Sequence, residues 1–426
     1  MLRSCRPKIW PSRAVRHGLR LLSSVPPITP VEKIIIDGIK ATGPIPFATY
    51  MQMCLAHPTH GYYMNPQHPI FGPKGDFVTS PEVSSLFGEV LGIWFMSQWM
   101  QSAKLPIRVV ELGPGRGTLM HDILRVVAQF GGDRLVAVHL VETSPTLRAL
   151  QERRLSPSAL KHEFALQWHD SVDQIPPSSD AYTMVVAHEF FDALPFHTIQ
   201  KTELGWQEVL IALADADSSA GAAEPHPRFR YVLSPQPTAA STLLGHSSPR
   251  FNDVPVGARL EVSPAAFKIA RTLGTILADA RTPAPPHACS RGCALIVDYG
   301  AAHAAAQSFR AIKAHALTDP LHAPGTCDLT ANVDFAYLAE AVRDLVLVHG
   351  PLAQGAFLAR MGLHERVEAL AVRAGDGDDS AAALRAAAQR LVDPAGMGGE
   401  YMMLALGGHA AADAGGVWPF LDAPAG

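Results

Sequence analysis

The 426-residue chain has few charged residues and no long uninterrupted apolar segment. Charged residues make up 17% of the chain and hydrophobic residues 48%, a balance that excludes a disordered, collagen-like or coiled-coil protein. The richest apolar run, LFGEVLGIWFM, is interrupted by Glu89 and is much shorter than the roughly 18 residues that a membrane-spanning helix needs. We therefore expect a globular protein with no transmembrane segment, built as one large domain with insertions or as two domains.

Cysteine is scarce, and its five copies are scattered at Cys5, Cys54, Cys289, Cys293 and Cys327. An odd and scattered set in a large chain excludes a disulfide framework and fits a reducing compartment. Cys289 and Cys293 form a C-x3-C pair, but neither a second such pair nor a His-x3-His pair accompanies them. We therefore expect no metal site.

The first thirty residues contain no acidic residue, although they contain six of the chain's 35 basic residues. An arginine-rich, serine-containing and acid-free leader is typical of organelle transit peptides, whereas a secretory signal has one basic end and an unbroken apolar block. We interpret residues 1–30 as a mitochondrial transit peptide. The alternative, a basic arm that binds nucleic acid, is disfavoured because the rest of the chain is acidic and would repel a phosphate backbone.

Hydrophobic periodicity divides the remaining chain into regions. Helical periodicity dominates residues 31–106, where two helices bracket a turn-rich stretch that we interpret as a lid. Short apolar runs alternate with helical stretches over 107–195, which favours a Rossmann-like, doubly wound parallel sheet. Antiparallel strand candidates over 196–290 indicate an insertion or substrate region. Strands and helices alternate again over 291–406 to complete the sheet, and 407–426 is predicted to be a flexible tail.

The strongest local signal is VVELGPGRGT, residues 109–118, in which a buried strand leads through a glycine-rich turn into a helix. Glycine allows the unusual backbone angles of such a turn and the close approach of a ligand to the backbone. A dinucleotide-binding motif would place its third small residue at Thr118, whereas here the third glycine comes one position earlier. The acidic strand end and the G-x-G-x-G spacing indicate S-adenosylmethionine instead. The predicted contacts to this cofactor are Glu111, Gly113, Gly115 and Gly117.

Two further acids end the next predicted strands. Glu142 closes LVAVHLVE, where one carboxylate can bind both ribose hydroxyls of an adenosine. Its separation from Gly117 is longer than usual, which implies an extended first helix. Asp170 closes the following strand, ALQWHD, and is a candidate acceptor for the exocyclic amine of adenine. The alternative for both residues is an exposed acid at a strand tip.

The fourth strand leads into HEFFDALPFH, residues 188–197, at the sheet edge where open α/β folds bind ligands. Glu189 and Asp192 lie there among aromatic and aliphatic side chains, where an unpaired carboxylate would be costly. We therefore expect a cationic group to meet this pair of acids.

A second turn, GDFVTSPE at residues 75–82, combines glycine, acids and hydroxyl groups between two predicted helices. We interpret it as a lid over the cofactor that uses Gly75, Asp76, Ser80 and Glu82. A helix start explains part of the same pattern, with Ser80 as the N-cap, Pro81 at the first helical position and an acid that favours the helix dipole. Capping does not explain Gly75 and Asp76.

Together these segments resemble the family of mitochondrial protein arginine methyltransferases that assist complex I assembly, with their bacterial relatives. The resemblance covers most of residues 31–406 and follows eight motifs in order: YMQMCLAHPTHGYY, GDFVTSPEVSSLFGE, VVELGPGRGTLMHDIL, HEFFDALPFH, IVDYG, PGTCDLTANVDF, QGAFLARMGL and DPAGMGGEYMMLAL. It implies an α/β class I S-adenosylmethionine-dependent methyltransferase fold with N-terminal helices and an antiparallel β insertion. It also implies a matrix location and symmetric dimethylation of an arginine on a peripheral-arm core subunit of complex I.

The resemblance directs attention to Glu189 and Asp192 as catalytic candidates. An arginine side chain stays protonated, so its nitrogens are poor nucleophiles. Two carboxylates could hold the planar guanidinium, aim one nitrogen at the methyl group and accept a proton. The family usually has asparagine before EFFDALP, whereas this chain has His188, an imidazole that we expect to titrate near neutrality. We place His188 in the substrate region.

Other functions fit the sequence less well. A cofactor-binding assembly chaperone that holds its client on the hydrophobic helices of 84–100 is an alternative that the sequence alone does not dismiss. A nicotinamide oxidoreductase is disfavoured by the position of the third glycine. Nucleic-acid methylation is disfavoured by the acidic body and by the lack of an N-P-P-Y or D-P-P-Y element after the fourth strand.

Overall fold

The computed structural model describes residues 27–65, 75–76, 78–102, 104–215, 228–278, 291–374, 379–408 and 417–421. Nearly all of the predicted transit peptide, most of the predicted tail, Cys5 and Cys289 lie outside the described residues. The first described helix begins at Pro30, and Thr29 forms a reciprocal capping box with Glu32. That arrangement satisfies two backbone N–H groups at the helix start.

Helices and strands alternate through the middle of the chain. The helices are α1 (Pro30–Thr42), α2 (Phe47–Ala56), α3 (Ser80–Val83), α4 (Ser85–Met100), α5 (Thr118–Gly131), α6 (Pro145–His162), α7 (Ala239–Gly245), α8 (Pro264–Leu277), α9 (Phe335–Val342), α10 (Gln354–Arg360), α11 (Leu363–Ala374), α12 (Asp379–Val392) and α13 (Met397–Glu400). The strands are β1 (Ile45–Pro46), β2 (Ile107–Leu112), β3 (Leu135–Val141), β4 (Ala165–His169), β5 (Tyr182–His188), β6 (His197–Thr202), β7 (Gly205–Leu213), β8 (Phe229–Leu233), β9 (Arg259–Val262), β10 (Gly292–Ala301), β11 (Arg310–Lys313), β12 (Ala316–Thr318), β13 (Asp328–Thr330), β14 (Val333–Asp334), β15 (Val348–Ala353) and β16 (Tyr401–Gly407).

The main sheet confirms the predicted doubly wound α/β fold. Its strand order is β15-β16-β10-β5-β2-β3-β4. The strands from β10 to β4 run parallel, whereas β16 is antiparallel to both of its neighbours. The chain builds outward from β2 through β3 and β4, and then returns to place β5 on the other side of β2. Such a reversal opens a crevice at the carboxyl ends of the strands, where open α/β sheets bind ligands.

Two apolar cores cover the two faces of this sheet. On β10, Cys293 and Leu295 join the core that contains α4 and α5, whereas Ala294 and Ile296 join the core that contains α8 and α9. Successive side chains of a strand point to opposite faces, so a strand covered on both faces is apolar throughout. This is why the sequence shows ALIV here as an uninterrupted apolar run.

Helix α4 packs against α5 at two glycines, where α5 leaves no room for a side chain. A Cβ atom on Gly88 would lie 2.6 Å from the Cβ of Asp122, and one on Gly92 would lie 2.9 Å from the Cβ of Val126. Most of the large apolar side chains of α4, including that of Trp94, are buried in this core. Helix α4 therefore does not present the broad apolar surface that the chaperone alternative assigned to residues 84–100.

The predicted antiparallel insertion is confirmed, and the N-terminal region packs on it. Strands β6 to β9 pair antiparallel, and β1 adds to the edge of β7. Helices α1 and α2 pack on this sheet through a core that contains Tyr50, Phe196 and Phe229. A third small sheet has the order β12-β11-β13.

Strand β15 begins at Val348, inside the apolar run LVLVHG at 345–350 rather than at its start. The N–H groups of Leu345 and Val346 bond back to the carbonyl of Val342 and so end α9 as a helical turn. Within the described part of the chain, no helix is both long enough and apolar enough to cross a bilayer.

Candidate active site

The glycine-rich turn connects β2 to α5 at the switch point of the main sheet. Gly113, Gly115 and Gly117 have φ angles of 63°, 51° and 74°, a region that side chains make costly. A Cβ atom on Gly113 would also lie 2.9 Å from Cδ2 of Phe190. The turn therefore needs glycine for its backbone angles, and at Gly113 for space as well.

Glu111 lies within β2, one residue before the strand ends, and its side chain is buried. Burial raises its pKa to about 8; an N–H bond from Met120 opposes this shift and the nearby Glu142 adds to it. Among the described residues, its Oε2 atom has no hydrogen-bond partner. An unmatched buried polar atom costs about 1–3 kcal/mol, so this oxygen is suited to a polar group of a ligand.

Glu142 follows β3 and lines the same crevice. Its Oε1 accepts a hydrogen bond from the N–H of Ser144 at 2.8 Å, and its Oε2 accepts one from Gln151 at 3.3 Å. Burial raises its pKa, although these two bonds oppose the shift. The contacts fix the orientation of the carboxylate, as binding of a ribose would require.

Asp170, immediately after β4, is more exposed than Glu142. Its side chain is 68% exposed and forms an ion pair with Arg148 at 2.6 Å. It also lines the crevice. As an acceptor for an adenine amine, Asp170 would have to share its carboxylate with Arg148.

A cavity of about 540 Å³ brings most of the predicted site residues together. This volume is within the usual range of about 300–1,000 Å³ for small-molecule sites. Its lining includes Glu82, Glu111, Gly113, Gly115, Glu142, Asp170, His188, Glu189 and Asp192. Gly75, Asp76, Ser80 and Gly117 are not part of that lining. A glycine cradle beside an unmatched carboxyl oxygen and a fixed carboxylate fits S-adenosylmethionine.

The segment predicted as a lid contacts the glycine turn through Glu82. Its Oε1 accepts a hydrogen bond from the hydroxyl of Thr118 at 2.8 Å, and its Oε2 lies 3.7 Å from Nη1 of Arg116. Thr79 and Pro81 line the cavity beside it. Residues 78–82 thus lie against the turn, and their role as a lid stays a prediction.

The predicted helix start in this segment is wrong by one residue. Helix α3 begins at Ser80, and its N-cap is Thr79, which makes no side-chain capping bond. Ser80 is fully buried and donates a hydrogen bond to Oε1 of Gln354 at 3.2 Å. Proline is tolerated throughout the first helical turn, so Pro81 does not identify the capping residue.

Asp76 is buried outside the cavity lining. One of its carboxylate oxygens accepts a hydrogen bond from the hydroxyl of Tyr62 at 2.6 Å, and the other accepts one from the N–H of Ala314 at 2.7 Å. The bond from Ala314 ties the segment to the turn between β11 and β12, and the bond from Tyr62 ties it to the region after α2. Gly75 is buried beside Asp76. Asp76 therefore holds its segment in place and does not contact the cavity.

Glu189 and Asp192 reach the cavity from the loop after β5. Glu189 has a φ of 49°, which is uncommon for a residue with a side chain, and its side chain is 11% exposed. Burial raises its pKa to about 8, although the hydroxyl of Tyr401 donates a hydrogen bond to its Oε1 at 2.5 Å and opposes the shift. Asp192 accepts a hydrogen bond from the hydroxyl of Thr330 at 2.7 Å, and burial raises its pKa as well.

The cation expected beside these acids does not come from the described part of the protein. There, neither carboxylate forms an ion pair with a lysine or an arginine; Arg310 acts on Asp192 at longer range. The Nε2 atom of His188 lies 3.8 Å from Oε1 of Glu189. The acids therefore leave room for a cationic ligand.

His188 does not titrate near neutrality, contrary to expectation. Burial lowers its pKa to about 3, so the imidazole is neutral at physiological pH. The ring stacks on that of Tyr401 with a centroid distance of 5.8 Å and meets Phe87 edge-on at 5.2 Å. Its Nε2 atom lacks a hydrogen-bond partner in the described structure.

Two acids of this site were not predicted from the sequence. Asp328 of β13 lines the cavity and accepts a hydrogen bond from the hydroxyl of Tyr63 at 2.7 Å. Burial, reinforced by Asp192, raises its pKa to about 7. Asp298 of β10 accepts hydrogen bonds from three consecutive backbone N–H groups of residues 190–192 and so holds the loop of Glu189. The motifs CDLT and IVDYG contained these residues, but nothing in the sequence placed them beside that loop.

Comparison with known proteins assigns the fold and site to a family. The sequence model of a family described as S-adenosyl-L-methionine-dependent methyltransferase matches residues 90–352. The mitochondrial protein arginine methyltransferase NDUFAF7 of Mus musculus is 36% identical over 423 residues, which cover 95% of this chain and 90% of the mouse protein. This chain belongs to the family of the S-adenosylmethionine-dependent protein arginine methyltransferase NDUFAF7. The Drosophila melanogaster homolog of the mouse methyltransferase is 38% identical over 387 residues, covering 86% of this chain and 82% of the fly protein.

A solved structure supports the cofactor assignment for this methyltransferase. A protein from Burkholderia thailandensis bound to S-adenosyl-homocysteine has a TM-score of 0.68 at 26% identity, over 90% of this chain and 95% of that chain. The predicted class I methyltransferase fold and the S-adenosylmethionine cofactor are thereby confirmed. The animal relatives are named as mitochondrial proteins, which confirms the predicted mitochondrial location of the methyltransferase.

Proposed function

We propose that this methyltransferase transfers methyl groups from S-adenosylmethionine to an arginine side chain of a protein substrate. The observation that carries the proposal is the wall of Glu189, Asp192 and Asp328, three buried carboxyl groups that line the cavity without a described lysine or arginine ion-pair partner. The names of the animal relatives support the same substrate class.

A guanidinium group suits this wall for electrostatic reasons. Clustered buried carboxyl groups disfavour one another's ionised forms, and a bound cation relieves that repulsion. Two carboxylates can hold the planar fork of a guanidinium through paired hydrogen bonds and so fix which nitrogen faces the methyl donor. We therefore assign Glu189 and Asp192 to substrate binding at the reacting nitrogen, with Asp328 beside them.

The remaining residues of the site hold and shield the reactants. The cofactor, when bound, supplies an electrophilic methyl carbon on a sulfonium. Gly113 and Gly115 let its amino-acid end approach the backbone, Glu111 offers the unmatched oxygen, and Glu142 is oriented for the ribose. Glu82 keeps residues 78–82 against the turn, which limits the access of water.

The nature of the client and product is proposed from the family resemblance of the sequence. That resemblance supports symmetric dimethylation of an arginine on a peripheral-arm core subunit of respiratory complex I, and a role in complex I assembly. The acidic wall supports a client segment with an exposed, positively charged arginine.

Mass spectrometry provides the test. Purified protein without residues 1–26, which keeps the Thr29 cap of α1, is incubated with trideuteromethyl-labelled S-adenosylmethionine and complex I core subunits, and labelled residues are mapped. We expect label on arginine with wild type and its loss with Glu189→Gln, while calorimetry shows that Glu189→Gln still binds S-adenosylhomocysteine. Label on lysine or on no residue would contradict the proposal. Client binding without label would instead favour the assembly chaperone.

A further inference from the structure

Methylation of an arginine releases one proton for each methyl group transferred. A guanidinium cation and a sulfonium cation react to give a methylguanidinium cation, a neutral thioether and a proton. At this site the proton would go to Glu189, because its carboxylate lines the cavity and burial has already raised its pKa. A buried carboxyl group must lose that proton before it can serve in the next turnover.

Two tyrosines extend from Glu189 away from the cavity. The hydroxyl of Tyr401 on β16 donates a hydrogen bond to Oε1 of Glu189 at 2.5 Å and lies 2.6 Å from the hydroxyl of Tyr299 on β10. Neither tyrosine belongs to the cavity lining. The three groups form a continuous chain of hydrogen bonds that starts at the cavity wall.

The pairing of β10 with β16 holds the hydroxyl groups of Tyr299 and Tyr401 next to each other. Tyr299 and Tyr401 are directly opposite each other in the antiparallel pair of β10 and β16, and their ring centroids lie 4.1 Å apart. Both are therefore held by the main sheet, whereas Glu189 is held by the loop that Asp298 anchors. The hydroxyl contacts are consequently a property of the rigid framework.

The hydrogen-bond chain leads from a buried tyrosine to a partly exposed one. Tyr401 is fully buried, whereas Tyr299 is partly exposed and lies under the guanidinium of Arg310 at 5.4 Å. The imidazole of His188, which stacks on Tyr401, is not part of this hydrogen-bond chain because its Nε2 is 3.8 Å from Glu189, beyond hydrogen-bond distance.

We propose that Tyr401 and Tyr299 conduct the proton released by methyl transfer from Glu189 to solvent. In this step the N–H bond of the methylated nitrogen breaks and its proton binds Glu189. The proton of the carboxylic acid then moves to the oxygen of Tyr401, as Tyr401 passes its own proton to Tyr299 and Tyr299 releases one to water. Each hydroxyl ends with one proton and Glu189 ends ionised, so atoms and charges balance. The proposal rests on the arginine methyltransferase function proposed above.

The variant Tyr299→Phe gives the sharpest test because it removes the outer hydroxyl and leaves the bond between Tyr401 and Glu189 in place. The first proton can remain on Glu189, so we expect a burst of one methyl group per site, followed by turnover slowed at least about tenfold. The kcat/KM for the peptide and the Kd for S-adenosylhomocysteine should not change, because the slowed step follows methyl transfer. Small buffers such as imidazole should restore turnover by accepting the proton, which a structural defect would not allow.

The matched control is Tyr337→Phe, which removes a hydroxyl bonded to Ser247 at 2.9 Å in a separate core. It should turn over like wild type. Absence of a burst in Tyr299→Phe, or a slow phase that does not respond to buffer, would overturn the proton path. A wild-type protein that fails to methylate arginine would instead overturn the proposed function.

Infrared spectroscopy of the complex with S-adenosylhomocysteine gives a readout that does not depend on turnover. It also tests the proposal if Tyr299→Phe fails to fold, because it uses other variants. The carboxyl band that disappears in Glu189→Gln reports the protonation of Glu189. Because the Tyr401 hydroxyl lowers the pKa of Glu189, Tyr401→Phe should shift the titration of this band to higher pH. An unchanged titration would show that Tyr401 is not coupled to Glu189 and would overturn the proposal.

Discussion

Glu82 and Thr118 are joined by a hydrogen bond of 2.8 Å, although they lie on opposite sides of α4 in the sequence. Glu82 belongs to α3 in the segment over the cavity, and Thr118 is the first residue of α5 after the glycine turn. The bond therefore connects the predicted lid to the predicted cofactor cradle.

Removal of this bond should weaken cofactor binding. We expect Glu82→Ala to raise the Kd for S-adenosylhomocysteine about fivefold, as the loss of roughly 1 kcal/mol would do, with little change in melting temperature. Calorimetric titration measures the change. Glu368→Ala is the control, because Glu368 pairs with Arg385 on the surface and its side chain is 58% exposed. Equal affinities for Glu82→Ala and wild type would contradict the contact's role.

The loop of Glu189 should depend on Asp298. In Asp298→Asn one acceptor oxygen becomes an N–H2 group that faces the backbone N–H groups of residues 190–192 or that of Tyr299. We expect a loss of about 2–3 kcal/mol in the free energy of unfolding and a larger relative loss of methylation. Urea denaturation provides the comparison, with Asp344→Asn as the exposed control. A stability within 0.5 kcal/mol of wild type, the usual scatter for surface changes, would refute this role.

The unliganded protein should lose stability as the pH rises from about 6.5 to about 8. This range lies above the ordinary pKa of histidine, so that buried neutral histidines such as His188 do not offset the effect. Burial raises the pKa values of Glu111 and Glu189 to about 8 and that of Asp328 to about 7, so the folded state binds more protons than the unfolded state in this window. The stabilisation is complete below the pKa values of the unfolded state. It then decreases by about 1.4 kcal/mol per pH unit for each carboxyl group, and it is lost once the pH has passed the pKa values of the folded state.

Denaturation in urea at several pH values measures this slope. Glu189→Gln should flatten it, because the amide does not titrate. A stability that stays level between about pH 6.5 and about pH 8 would contradict this prediction, because it would show that these carboxyl groups are ionised in the folded protein as well.

His188→Asn should lower stability without moving the pH profile of methylation. The imidazole is already neutral between pH 5 and pH 8, and it stacks on Tyr401. Loss of the stacked ring should cost about 1 kcal/mol in the free energy of unfolding. The pH profile of methylation should stay in place, and a shifted profile would show that the imidazole titrates during turnover.

The sequence predicted those parts of the site that follow one strand or one turn. Glu111, Glu142 and the glycine turn could be found because a buried strand ending in an acid or in glycines is a local pattern. The fold class was accessible for the same reason, since alternating strands and helices indicate a doubly wound sheet.

The contacts between distant segments could not be predicted. Asp298 meets its loop partners across more than a hundred residues, and Tyr401 meets Glu189 across an even longer separation. Only the pairing of β16 with β10 and of β10 with β5 brings them together. The cap of α3 was misassigned for a local reason, because Pro81 fits two positions of the first helical turn.

Calorimetric titration of the protein without residues 1–26 with S-adenosylhomocysteine tests the central claim, that the turn between β2 and α5 holds the cofactor. We predict binding by wild type and binding weakened at least about tenfold in Gly113→Ala, where a Cβ would collide with Phe190. Gly132→Ala is the control, because Gly132 also has a positive φ, 57°, but lies outside the cofactor turn and nothing lies within 4 Å of its Cβ position; this variant should bind like wild type. No heat with wild type, or equal weakening by both variants, would contradict the account.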